Sequence, residues 1–258
     1  MNNRITELFK KKNKNILNIY FTAGFPKLED TITVLKTLEK SGVDMVEIGM
    51  PYSDPTADGP TIQDSSEKSL ANGMTIHNLF EQLKDVRAHV SIPIVLMGYI
   101  NPVMQYGIEN FCNKASELGI DGTILPDLPF EIYNREYKTL FEQNNISNVF
   151  LVTPQTEPER IQKLDKSTKG FIYIVSTNST TGNESKVDNE MNTYLNRIKN
   201  TELENPTLIG FNIKDKASFN NACNYSNGAI IGSAFVKMLN ESSNIEEDIT
   251  SFIKKIKD

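Results

Sequence analysis

The sequence predicts a closed (β/α)8 barrel, and three observations predict it. Short runs rich in Val, Ile and aromatic residues recur eight times, at 15–22, 43–48, 93–99, 122–127, 149–153, 171–176, 207–212 and 228–232. Stretches whose apolar residues repeat at the helical period lie between them, so strands alternate with helices and imply βαβ units in a parallel sheet. The chain has 258 residues, and a single barrel of this class takes about 250. No Pro/Gly/Ser-rich linker divides it, so one domain over 1–258 is expected. An open doubly wound sheet is the alternative that the same alternation allows.

Taken in order, the first run carries Tyr20 near its end and is followed by Leu28, Ile32, Leu35 and Leu38 at helical spacing. In the second, side chains alternate, so Val43, Met45 and Glu47 share one face while Val46 and Ile48 share the other. Ile76, Leu79, Leu83 and Val86 form the next apolar stripe, and Tyr133, Tyr137, Leu140 and Phe141 another. The polar stretch 177–188 reads as a mobile loop after the sixth strand. The eighth strand runs into a helical stretch at Gly232-Ser-Ala. Ile245, Ile249, Phe252, Ile253 and Ile256 close the chain as an amphipathic helix with lysines in its last turn, where the helix dipole favours them.

Composition excludes several classes. With 38% hydrophobic and 23% charged residues, the chain fits an ordinary globular protein, as does its mean hydropathy of −0.37. No run approaches the roughly 18 apolar residues of a membrane helix. The lysine-rich start has no apolar segment behind it, so a cytoplasmic location is expected rather than export. A net charge of −6 argues against nucleic acid. Cys112 and Cys223 are far apart in helical patterns, which leaves neither a disulfide framework nor a zinc pattern. His77 and His89 fall in one helical stretch away from strand ends, so no metal site is expected.

In a barrel of this class, chemistry sits at the strand C-termini and the loops that follow them. Glu47 would point inward near such an end, where Val, Ile or Leu is usual. Burial would raise its pKa and suit it to acid-base work, unless a Lys, Arg or Tyr of the lumen pairs with it structurally. The loop from Gly49 to Pro60 holds three prolines around Asp54 and Asp58, a constrained frame that can fix a carboxylate or simply form Asx turns. Tyr20, Tyr99 and Tyr173 recur at inward positions near the mouth, fitting an aromatic-lined cavity or core filling. Gly210 and Gly232-Ser233 end strands seven and eight, and the second pair opens a helix whose free N–H groups suit a phosphate. No lysine occupies an inward strand end, so a Schiff-base aldolase lacks its nucleophile. Carboxylate chemistry on a phosphorylated, aromatic small molecule remains.

The stretch Val46-Glu-Ile-Gly-Met-Pro-Tyr-Ser-Asp-Pro-Thr-Ala-Asp-Gly-Pro-Thr-Ile-Gln63 resembles the signature of the tryptophan synthase alpha chain family. The similarity continues through Tyr20 to Pro26, Met97 to Pro102, Leu125 to Pro129, Tyr173 to Ser176, Thr181-Gly182 and Gly232 to Ala234. The resemblance implies a barrel that cleaves indole-3-glycerol phosphate to indole and glyceraldehyde 3-phosphate. It implies Glu47 as the acid-base residue and Asp58 as its assistant at the indole N–H. Tyr20, Tyr99, Tyr173 and Phe211 would line the substrate site. Gly182, Gly210, Gly232 and Ser233 would receive the phosphate, and Thr181 would reach Asp58. The family resemblance also implies a beta-chain partner in an α2β2 heterotetramer, facing Asp54, Pro55, Asn101 and Pro102. No cofactor serves the alpha reaction; pyridoxal phosphate belongs to the beta chain.

Two stretches depart from the family pattern. After strand six the family usually reads Ser-Arg-x-Gly-Val-Thr-Gly, where this chain has Ser176-Thr-Asn-Ser-Thr-Thr-Gly182. Asn212 stands where the family commonly has glycine. Two other functions fit the same residues: a stand-alone lyase releasing free indole, and a non-catalytic barrel that binds a phosphorylated ligand and acts only through its partner. Activation by added beta chain separates the first from the coupled enzyme, and retained ligand binding without turnover identifies the second.

Overall fold

Eight parallel strands close on themselves in sequence order in the computed structural model, which describes residues 3–176, 184–210 and 212–258. They are β1 (Ile16–Thr22), β2 (Met45–Gly49), β3 (Ile94–Met97), β4 (Gly122–Ile124), β5 (Ser147–Val152), β6 (Ile172–Val175), β7 (Thr207–Gly210) and β8 (Gly228–Ile231). Closure is completed by β8 pairing with β1, Asn18 standing opposite Ile230. The expected barrel is therefore formed, with strand ends shifted by one to three residues from the expected runs; β2 gains Gly49 and β5 starts two residues earlier, while the others are shorter. The trimming matters at the third: β3 stops at Met97, and Tyr99 caps the next helix instead of sitting on the strand.

Around the sheet run α1 (Arg4–Lys11), α2 (Asp30–Lys40), α3 (Pro60–Ala71), α4 (Ile76–Gln82), α5 (Ile100–Tyr106), α6 (Ile108–Glu117) and α7 (Phe130–Ile132). These are followed by α8 (Lys138–Gln143), α9 (Pro158–Ser167), α10 (Glu184–Lys199), α11 (Lys216–Cys223), α12 (Ser233–Glu241) and α13 (Ile245–Lys257). A π-helical turn joins α7 to α8, so the Tyr133-to-Phe141 stripe is a continuous but locally widened helix. Helix α10 starts at Glu184, so the second part of the polar stretch expected to be a loop is helical. His77 lies on α4, whereas His89 follows a separate 3-10 turn; both are exposed, but one helix does not carry them.

Helix α1 is an element that the lysine-rich start concealed. Asn3 caps it by accepting from the Ile5 and Thr6 amides, and its own Nδ2 donates to Asp121 O at 2.8 Å and Ser147 Oγ at 3.0 Å. That pins α1 across the N-terminal ends of β4 and β5. Buried Asp121 then accepts from Arg87 at 2.7 Å and Arg4 at 3.1 Å. The bottom of the barrel is thus closed by hydrogen-bonded structure, which leaves the opposite rim for chemistry.

Two contacts set the upper rim. Ser65 on α3 shares a 2.6 Å hydrogen bond with Thr22 at the end of β1, and Ser69 donates to Ala23 O. Helix α13 packs on α2, α11 and α12, with Phe252 edge-on to Phe235 at 5.5 Å, which places it outside the barrel as its apolar stripe requires.

Candidate active site

Glu47 enters the barrel because it follows Met45 by two residues on β2, pairing in register with Tyr20 and Val95. It is wholly buried. Asn18 Nδ2 donates to its Oε1 at 2.5 Å, while Oε2 has no hydrogen-bond partner among the described residues. Burial pushes the carboxyl up to about 8, with the Asn18 donor pulling it down. Among the described residues no lumen Lys, Arg or Tyr hydrogen-bonds it; the partner is a neutral amide.

Asp58 is held by its loop and by an aromatic neighbour. Tyr99 Oη donates to Asp58 Oδ2 at 3.0 Å and accepts from the Ala57 amide at 2.9 Å, so one phenol fastens two consecutive residues. Gln63 of α3 donates to the Asp58 carbonyl at 2.7 Å. Partial burial raises the Asp58 carboxyl above its ordinary range, and the Tyr99 bond lowers it. The prolines therefore work together with a side chain from the β3–α5 turn to fix this carboxylate.

The tyrosines divide. Tyr20 and Tyr173 are buried on β1 and β6, and the negative charge of both Glu47 and Asp58 raises their phenols in addition to burial. They therefore share one electrostatic neighbourhood with the two carboxylates. Glycines make their space: a Cβ at Gly49 would stand 2.1 Å from Tyr20 Oη, and one at Gly210 would stand 2.0 Å from Tyr173 Oη. Tyr99 reaches the same mouth from its helix cap and stacks obliquely on Tyr52, ring centres 5.3 Å apart.

Tyr20, Met50, Tyr52, Asp58, Met97 and Tyr99 line a cavity of about 10 Å³, roughly the space of one water. An aromatic ring would enter there only as these side chains part. The aromatic-lined cavity expected from the sequence is therefore present but narrow, and Tyr173 is not in its wall.

The expected phosphate residues lie at the neighbouring strand ends. Gly210 ends β7, where its carbonyl accepts from Ser176 Oγ at 2.8 Å. Gly232 caps α12, and exposed Ser233 begins it, presenting first-turn amides to solvent. Asn212 has φ +57°, the left-handed conformation that glycine adopts without cost, and Asn is among the few other residues that tolerate it. The departure from glycine thus keeps the backbone path. Thr181, Gly182 and Phe211 lie outside the described residues.

Of the residues expected to face a partner, Asp54 and Asn101 are exposed and Pro55 and Pro102 half-buried. Asn101 Nδ2 donates to Tyr52 Oη at 3.1 Å, linking the α5 surface to the Tyr52–Tyr99 pair and through it to Asp58. Asn18 is the site residue that sequence reasoning missed. Its signal was a polar side chain two residues before Tyr20, on the same face of an otherwise apolar strand.

Chemically, this is a buried acid able to exchange a proton near neutral pH, a fixed loop carboxylate that favours positive charge and acts on the same two tyrosines, and a helix N-terminus after β8, with β1 between it and β2. Among the described residues no cluster of His, Cys, Asp and Glu could hold a metal ion, and no helix is long and apolar enough to cross a membrane.

Relatives carry the same architecture. The family described as "Tryptophan synthase alpha chain" matches residues 7–257. The tryptophan synthase alpha chain of Flavobacterium psychrophilum is 54% identical over 98% of this chain and 99% of its own length. That of Christiangramia forsetii is 52% identical over 99% and 98%. Among solved structures, the tryptophan synthase alpha chain of Legionella pneumophila superposes with a TM-score of 0.88 at 28% identity, covering 99% of this chain and 96% of that one. A chain of the tryptophan synthase complex of Pyrococcus furiosus does so at 0.85 and 32%, covering 95% and 98%. A buried glutamate, a tethered loop aspartate and similarity at this level over nearly the whole chain lead to one conclusion: the chain belongs to the tryptophan synthase alpha chain family.

Proposed function

We propose that this chain cleaves indole-3-glycerol phosphate to indole and glyceraldehyde 3-phosphate, with Glu47 as the proton carrier and Asp58 as the electrostatic partner of the indole N–H. The observation that carries the reading is the unequal treatment of the two Glu47 oxygens: Asn18 holds one and the other has no partner among the described residues.

Glu47 starts protonated, as its burial favours. Its free oxygen gives the proton to the ring carbon that bears the side chain. Positive charge then spreads to the ring nitrogen, where Asp58 stabilises it. The resulting Glu47 carboxylate removes the proton from the adjacent hydroxyl. The carbon–carbon bond breaks, its electron pair returns to the ring, and the hydroxyl carbon becomes the aldehyde. One proton has moved from oxygen to carbon, and Glu47 is again an acid. The cycle uses side chains alone and calls for no cofactor.

The substrate phosphate is assigned to Gly210, Gly232 and Ser233, supported by the α12 N-terminus, and to Gly182 by resemblance. Tyr20, Tyr99, Tyr173 and Phe211 are assigned to the remainder of the substrate, and Thr181 to Asp58. For the partner, similarity to a chain of a tryptophan synthase complex supports a beta chain docking on Asp54, Pro55, Asn101 and Pro102, with indole passing to it in an α2β2 assembly.

The test is indole release from indole-3-glycerol phosphate, with and without added beta chain. Turnover that Glu47→Gln abolishes and the partner accelerates supports the reading. Turnover untouched by that substitution ends it, and turnover indifferent to the partner favours the stand-alone lyase.

A further inference from the structure

Asn18 lies in the barrel interior, a layer that Val, Ile and Leu ordinarily fill. It is wholly buried on β1, facing Met45 across the sheet on one side and Ile230 on the other. A leucine of nearly the same shape would pack there without any polar atom to satisfy. The amide has a cost: its Oδ1 is buried with no hydrogen-bond partner among the described residues. The Asn18 side chain makes one hydrogen bond among the described residues, from Nδ2 to Glu47 Oε1 at 2.5 Å. A side chain that is expensive for packing and contacts the reacting carboxyl is better explained by the chemistry than by the core.

We infer that Asn18 is a positioning residue for the acid-base step: its amide clamps one oxygen of Glu47 and so leaves a single, fixed oxygen to exchange protons with the substrate. This rests on the assignment of Glu47 as the proton carrier.

The donor also sets how strong an acid Glu47 is. The groups that feel its charge are Tyr20 from β1 and Tyr173 from β6, with Asp58 acting on the same two phenols from the β2–α3 loop. Among the described residues no cation contributes to the Glu47 shift: burial raises it and the Asn18 amide opposes burial. Removing the amide therefore leaves desolvation uncompensated. Glu47 becomes a weaker acid, and proton delivery to the ring carbon slows.

The experiment compares wild type with Asn18→Leu and Asn18→Ser in the full-length chain. The Glu47 carboxyl is titrated by isotope-edited infrared difference spectroscopy, with Glu47→Gln identifying its band, and kcat and KM are followed across pH. Both variants lack the amide donor, and the smaller Ser keeps the test valid if Leu disturbs the barrel. The expected result is a titration midpoint at least about one pH unit higher, a tenfold change in proton affinity. Alongside it, kcat should fall about tenfold or more while KM stays within about threefold, and the alkaline limb of the rate profile should move upward with the midpoint. An unchanged midpoint overturns the inference whether or not the rate falls, because a rate loss alone would reflect packing. The titration is read without turnover, so it stands apart from the Glu47→Gln assay that tests the underlying assignment.

Discussion

Tyr99 donates a hydrogen bond to Asp58 Oδ2 at 3.0 Å while accepting one from the Ala57 amide, so a residue 41 positions downstream fixes the carboxylate proposed to stabilise the substrate. Tyr99→Phe keeps the ring contact with Tyr52 and deletes both bonds. A hydrogen bond to a charged group contributes about 1.5–3 kcal/mol to stability, so the melting temperature should fall by several degrees, and kcat/KM should drop by at least about tenfold as the carboxylate loses its fixed position. Steady-state indole release and a thermal melt measure the two.

Glu47→Gln should lower turnover by at least about 100-fold, since general acid-base residues commonly contribute that much. The amide retains the shape of the acid and carries no charge to desolvate. The variant should therefore melt at or above wild type at neutral pH, and a large loss of stability would mean that the carboxyl has a structural duty.

The pH dependence follows from the same burial. Glu47 is raised from an ordinary 4.5 to about 8 in the barrel, so between those values the folded chain binds a proton that the unfolded chain has released. The stability this confers is complete below about 4.5 and is lost as pH rises through about 8. Unfolding in urea at several pH values should show wild type losing ground to Glu47→Gln across this window. In kcat/KM the acid form is the active one, so activity should decline above about pH 8, by tenfold per unit once Glu47 is ionised.

Glycine at the ends of β7 and β8 is required for different reasons. A Cβ at Gly210 would meet Tyr173 Oη at 2.0 Å, whereas one at Gly232 would find nothing closer than Tyr20 Cβ at 3.6 Å among the described residues. Gly210→Ala should cost about 1–3 kcal/mol by overpacking and depress activity by displacing the Tyr173 phenol. Gly232→Ala should melt like wild type, any effect appearing in KM for the phosphorylated substrate. Equal melting temperatures for the two variants would contradict the geometry.

Asp121 tests the division of labour between the two ends of the barrel. It is buried between Arg87 and Arg4 at the bottom, so Asp121→Ala leaves the Arg87 guanidinium without its carboxylate and should destabilise the chain by about 3 kcal/mol or more. At a temperature where the variant is folded, KM and kcat should be those of wild type, because no part of the upper rim depends on it.

Much of this was legible in the chain itself. Alternation placed Glu47 inside because a strand has a period of two, and the eightfold repeat of strand and helix allowed few closed arrangements. Helix α1 escaped notice because its polar, lysine-rich surface hides a short apolar face that only the barrel floor makes meaningful. Tyr99 was read as a strand residue because strand ends are set by where the ladder stops, and β3 stops two residues earlier. Asn18 gave only a weak signal, one amide among apolar neighbours, since its partner lies 29 positions away.

The sequence by itself therefore determined the eightfold alternation of strand and helix and singled out two candidate carboxylates, because hydrophobic periodicity and local motif are properties of neighbouring residues. Tertiary structure alone decided that Glu47 has one oxygen held by Asn18 and one without a partner among the described residues, that Tyr99 reaches back to Asp58, and that the tyrosine hydroxyls fill the space left by glycines on adjacent strands. Those are distances across a closed sheet, and a chain acquires them only when desolvation and packing bring remote segments together.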